Sequence, residues 1–115
     1  MYKGRKMISE NYKTKIKDSI TKKFSEMGVD DDTINELVNV SLESLNDELS
    51  KIEGILNSDD LSELGLHTHT IKGILLNVGL DEDANNFKEI KHLFEEGKSD
   101  EEIKEITKER ISIFY

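Results

Sequence analysis

Hydrophobic residues recur along this chain at steps of three and four, and no stretch alternates convincingly with period two, so the pattern is helical throughout. The first segment sets Ile8, Tyr12, Ile16, Ile20 and Phe24 at four-residue steps and stops near Met27-Gly28, where glycine suits a helix C-terminus. It predicts an N-terminal helix over about 8–27. The second opens after Asp30-Asp31-Asp32, with Thr33 and Glu36 at capping-box spacing. One stripe then runs through Ile34, Leu37, Val38, Ser41, Leu42, Leu45, Leu49, Ile52, Ile55 and Leu56. Asn57-Ser58-Asp59-Asp60 interrupts it and predicts a cap for a third helix over about 61–78.

Gly79 ends that helix. A fourth follows with Ala84, Phe87, Ile90, Leu93 and Phe94 expected to face inward, and Gly97-Lys98 closes it. Ser99 and Glu102 repeat the capping-box spacing and open a fifth, carrying Ile103, Ile106 and the terminal Ile111, Ile113 and Phe114. Connections this short between amphipathic helices predict antiparallel neighbours. The expected fold is all-α, an up-and-down antiparallel four-helix bundle over about 31–115 with an additional N-terminal helix packed across it. Residues 1–115 form a single domain in this reading.

Composition narrows the function classes. The chain has no Pro, which leaves long helices uninterrupted, and no Cys, which removes disulfides, thiolate metal sites and cysteine nucleophiles. No apolar run approaches the roughly 20 residues that span a bilayer. The basic N-terminus Met1-Tyr2-Lys3-Gly4-Arg5-Lys6 lacks the apolar segment of a secretory signal. A cytoplasmic protein without membrane association is expected. With 25 acidic against 16 basic residues the formal charge is -9, which argues against nucleic acid as a partner. Lys13, Lys15, Lys17, Lys22 and Lys23 interleave with Ile16 and Ile20 and read as the solvated face of an amphipathic helix.

The third helix holds the candidate chemistry. At about 100° per residue, Leu64, Ile71, Ile74, Leu75 and Val78 gather on one face together with His67. His69, Lys72, Gly73 and Gly65 fall on the other. His67 therefore reads as a satisfied core histidine and His69 as an exposed one. A titratable nucleophile then sits one turn from a fixed cation and beside a residue without a side chain, which suits an anion such as phosphate. Leu66 and Leu76 flank His69 as an apolar rim that extends to Leu80, and an exposed apolar rim marks a docking surface. A glycine inside a helix costs about 1 kcal/mol against alanine, so Gly65 and Gly73 imply a close approach on this face.

His69-x-x-Lys72-Gly73 followed by Asn77-Val78-Gly79-Leu80 resembles the signature of histidine-containing phosphotransfer (HPt) domains of multistep phosphorelays. The local match runs from about Leu64 to Leu80, and the order and lengths of the helices resemble the family from roughly residue 30 onward. The resemblance implies that His69 accepts the phosphoryl group, Lys72 stabilises it and Gly73 keeps the approach clear. It further implies receiver domains of response regulators and a sensor or hybrid histidine kinase as partners. No cofactor is expected on this chain, Mg²⁺ being supplied by the receiver. A monomer without ATP-binding or autokinase activity is expected, and Met1 with the compact length points to a free-standing protein.

The chain departs from the family pattern at Thr68, where a small residue is usual, and at Ile74, Leu75 and Leu76, where small residues follow the glycine. Many members carry a glutamine on the next helix that hydrogen-bonds the active histidine. The corresponding region here offers Lys88, Lys91 and His92.

Other constellations are weaker. His67 and His69 point about 200° apart and cannot chelate one metal ion. His92 with Glu95 and Glu96 reads as solvated surface, and the Asp30-Asp31-Asp32 run lacks calcium-loop spacing. The alternative to phosphotransfer is a non-catalytic helical interaction module. A scaffold has no need of Lys72 one turn from an exposed histidine.

Overall fold

A computed structural model describes residues 7–115, and the basic run 1–6 lies outside the described residues. Among the described residues every regular element is helical: α1 (Glu10–Ser25), α2 (Asp31–Leu56), α3 (Leu64–Asn77), α4 (Asp81–Asn85), α5 (Glu89–Glu95) and α6 (Asp100–Ile111), followed by a 3-10 turn over Ser112–Phe114. The all-helical expectation holds. α1 packs along α2, α2 along α3, and α3 against both α4 and α5. Ile16, Ile20, Leu45, Ile52, Leu64, Ile71 and Leu75 fill the centre, with Ile90, Ile103 and Phe114 closing it from the C-terminal half.

The ends of the elements follow local chemistry. Ser9 caps α1 by accepting from Tyr12 N at 3.1 Å, and Gly28 turns the chain after it at φ 81°. The capping-box expectation for Thr33 and Glu36 is corrected: Asp30 caps α2, its Oδ1 accepting from Thr33 N at 2.8 Å. The helix begins three residues earlier than that box requires, which makes Thr33 the donor rather than the cap. The same hydrogen bond from Thr33 holds the Asp30 carboxyl below its usual range.

α3 begins at Leu64 rather than Leu61, because the residues before it are bound up in a side-chain turn. Ser58 Oγ accepts from Asp60 N at 3.2 Å and Asp60 Oδ1 from Ser62 N at 2.9 Å. The predicted fourth helix is two, α4 and α5, separated by a turn at residues 86–88. That break re-phases α5, so Ile90 and Leu93 take the core and Phe94 lies outward at 37% exposure, against the expectation that it faced inward. At the start of α6 the Ser99 cap forms as expected, accepting from Glu102 N at 3.2 Å.

α1 does more than cover the bundle. Ser19 Oγ donates to Val78 O at 2.6 Å and Lys23 Nζ to Asn77 O at 2.9 Å. These are carbonyls that the end of α3 leaves without helical partners. Lower down, Tyr12 OH donates to Asp83 Oδ2 at 2.8 Å, and Lys15 Nζ reaches the same oxygen at 2.8 Å. Burial, with the Asp83 hydrogen bond added, pushes the Tyr12 phenol above its ordinary range. The Tyr12 ring meets Phe114 edge-on at 4.8 Å, and Phe114 stacks on Phe87 at 5.8 Å. α1 thus fixes the C-terminal end of α3 and the turn that follows.

Gly79 is the tightest point of that junction. Its φ is 89°, and a Cβ there would stand 3.1 Å from Ser19 Oγ. Gly79→Ala is expected to cost more than the about 1–2 kcal/mol of a left-handed alanine. Gly28→Ala supplies the reference: it carries the same strain at φ 81°, and its Cβ would meet nothing within 4 Å. Urea melts of the two variants check this, and Gly79→Ala should show the lower midpoint.

Candidate functional site

α3 is buried on one face and open on the other. Leu64, Thr68, Ile71 and Leu75 are its buried residues. Residues three and four apart are neighbours on a helix, which sets Gly65, Leu66, His69, Lys72, Gly73 and Leu76 along the open face. His69 is exposed and Lys72 partly so, while Leu66 and Leu76 are 61% and 40% exposed.

The open face borders a groove of about 550 Å³. Gly65, Leu66, Thr68, His69 and Lys72 form its α3 side. Phe87 and Lys88 from the turn before α5, then Lys91, His92 and Glu95 of α5, form the other. Gly73 and Leu76 continue the α3 stripe past the groove. Leu80 lies apart: it is half-buried against the core and borders a separate depression with Lys15 and Asp83.

Thr68 is 2% exposed, and its hydroxyl donates to Leu64 O at 3.0 Å and Gly65 O at 3.1 Å. Its polarity is therefore satisfied within the helix. The side chain is buried structure beside His69.

His67 points away from His69, but it is half-buried at the edge of a surface depression rather than in the core that the wheel predicted. Its Nδ1 is 2.6 Å from Glu48 Oε2 on α2, with both side chains 14% exposed, and its Nε2 lies 3.9 Å from Glu63 Oε2. The ring is partnered and faces a depression shared with Lys51 and Gly54. The two histidines of His67-Thr68-His69 have separate surroundings.

The other wall of the groove is the region that the family resemblance sets opposite the histidine, now seen to include Glu95. Lys88, Lys91, His92 and Glu95 repeat at helical spacing, but the break at residues 86–88 conceals their alignment with α3. His92 Nδ1 pairs with Glu95 Oε2 at 3.2 Å on the exposed surface. Among the described residues no group of three or more His, Asp or Glu side chains could hold a metal ion.

An exposed imidazole, a lysine one turn away and an open helix face are the requirements for carrying a phosphoryl group between proteins. Imidazole supplies the nucleophile, and lysine neutralises charge on the phosphoryl oxygens. Comparison with known proteins bears on this arrangement. The family model for the Hpt domain matches residues 36–112, from early α2 to the end of α6, and leaves α1 outside. No curated protein and no solved structure matches the chain.

Proposed function

This chain belongs to the Hpt domain family, and on that premise we propose that it accepts a phosphoryl group on His69 from a receiver-domain aspartate or a kinase and passes it to another receiver. Hpt domains act in histidine phosphotransfer within phosphorelays and partner with receiver domains. The observation that carries the residue assignment is the exposure of His69 on the open face of α3, with Lys72 one turn on and Gly73 beside it.

In the forward step the unprotonated ring nitrogen of His69 attacks phosphorus on the receiver's aspartyl phosphate. A nitrogen–phosphorus bond forms, the acyl oxygen–phosphorus bond breaks, and the aspartate leaves as a carboxylate. The phosphoryl group in flight spreads negative charge over three oxygens, which Lys72 stabilises. The reading assigns Mg²⁺ to the receiver and no cofactor to this chain, which works as a cytoplasmic monomer. No helix among the described residues is long and apolar enough to cross a membrane.

The receiver covers the rim of Leu66 and Leu76, with Leu80 its outermost candidate and Gly65 and Gly73 at the points of closest approach. Each exposed leucine contributes up to about 2 kcal/mol when fully covered. Leu76 also restricts which receivers fit.

Incubation with a phosphorylated receiver tests the reading. The chain should acquire acid-labile, base-stable phosphate. Receiver binding without such a label would favour the non-catalytic interaction module. Lys72→Ala is expected to slow transfer at least tenfold while leaving receiver affinity within about twofold, because lysine chiefly stabilises charge that develops during reaction. Stopped-flow rates and titrated affinities separate the two effects, and an equal loss in both would contradict this role.

A further inference from the structure

The groove beside His69 holds more positive charge than transfer from α3 alone requires. The chain as a whole carries 25 acidic against 16 basic residues. Yet Lys72, Lys88 and Lys91 all line this groove, with Glu95 the one acidic side chain among its described lining residues. Among the described side chains, no carboxylate forms an ion pair with any of these three lysines. Glu95 is turned to His92 instead, at 3.2 Å. Like charges held together, with no carboxylate paired to them among the described side chains, point in an acidic protein to an anion that arrives from outside. Lys88 is four residues before His92 and Lys91 four before Glu95, so the wall is one face of a short helix.

We propose that the α5 wall of Lys88, Lys91 and His92 is a second phosphate-holding surface, facing His69 and separate from the Lys72 turn. It contacts the oxygens of the phosphoryl group once that group is on His69, and so sets what share remains on this chain and what share returns to the receiver. The inference rests on His69 being the acceptor. Lys88 and Lys91 take no part in breaking or forming the bond. They stabilise the charge that phosphorylation adds, between about -1.5 and -2. An exposed charge pair of this kind changes an equilibrium by about two- to fivefold per lysine.

The test has two arms and three proteins: wild type, Lys88→Gln/Lys91→Gln, and Lys17→Gln/Lys22→Gln, whose lysines lie on the exposed face of α1. In the first arm, inorganic phosphate is titrated into each unphosphorylated protein while amide and His92 ring signals are followed by NMR. In the second, each is equilibrated with a phosphorylated receiver and the share of phosphate on His69 is measured. Wild type and the α1 variant are expected to shift at α5 with phosphate and to partition alike. The α5 variant should lose those shifts and retain about four- to twenty-fivefold less phosphoryl group. The proposal is overturned if phosphate leaves the α5 signals of wild type unmoved, or if the α5 variant partitions like the α1 variant. Phosphate-dependent shifts at α5 in a wild type that never acquires phosphohistidine would leave the anion site standing and remove the assignment of His69.

Discussion

Replacing His69 with glutamine is expected to reduce phosphoryl transfer to background while leaving the fold as stable as before. Glutamine has a comparable polar reach but no nucleophilic nitrogen, so the covalent step has nowhere to begin. His69 is exposed, and α3 is held by the residues of its other face, so the stability change should stay within about 0.5 kcal/mol. His67→Ala should behave in the opposite way. It strips the partner 2.6 Å from Glu48, whose side chain is only 14% exposed. Leaving that carboxylate unpaired is expected to cost about 1–3 kcal/mol, with labelling of His69 retained. Melting curves and phosphate labelling of both variants give a crossed pattern. If His67→Ala removes labelling and His69→Gln keeps it, the roles assigned to the two faces of α3 are wrong.

That contrast also shows how much of the molecule is legible in the sequence. A helix repeats its faces every few residues, so the apolar stripe on α2 and the opposed positions of His67 and His69 follow from periodicity alone. The positive φ at Gly28, Gly79 and Gly97 matches the three stops read from glycine. What periodicity does not supply is the relation between elements. Glu48 pairs with His67 across 19 positions, and no local pattern announces it. The split between α4 and α5 is a second case: a continuous helix placed Phe94 inside, whereas the turn at residues 86–88 rotates it out and sets Lys88 and Lys91 against His69. Thr107 is a third, a buried residue whose hydroxyl donates to Ile103 O at 2.8 Å, so its polarity disguises a core position. The candidate site was legible from periodicity on the helix that carries the motif, whereas on the helix that faces it only the family resemblance pointed to Lys88, Lys91 and His92.

The glycines of α3 lead to the second large effect. Gly65 and Gly73 lie inside the helix, and a Cβ built on either meets nothing within 4 Å. The fold therefore makes no demand for glycine at these positions, although each destabilises α3 by about 1 kcal/mol relative to alanine. Under the proposed function, what requires glycine at Gly73 is the receiver that approaches the open face. Gly73→Ala is accordingly expected to stabilise the free protein by up to about 1 kcal/mol. Gly73→Leu should keep much of that gain, because leucine is a strong helix former, and should still weaken receiver binding by about tenfold or more. Forcing extra side-chain volume into a fitted contact costs about 1–3 kcal/mol, and tenfold corresponds to about 1.4 kcal/mol. Gly54 in α2 is the control. A Cβ there also meets nothing within 4 Å, and the residue borders the depression beside His67, on the side away from His69. Gly54→Ala should stabilise the chain similarly and leave transfer and affinity unchanged. Thermal melts together with titrated receiver affinities check all three variants. If Gly73→Leu binds its receiver like wild type, access is not what the glycine provides, and the docking surface proposed around His69 has to be redrawn.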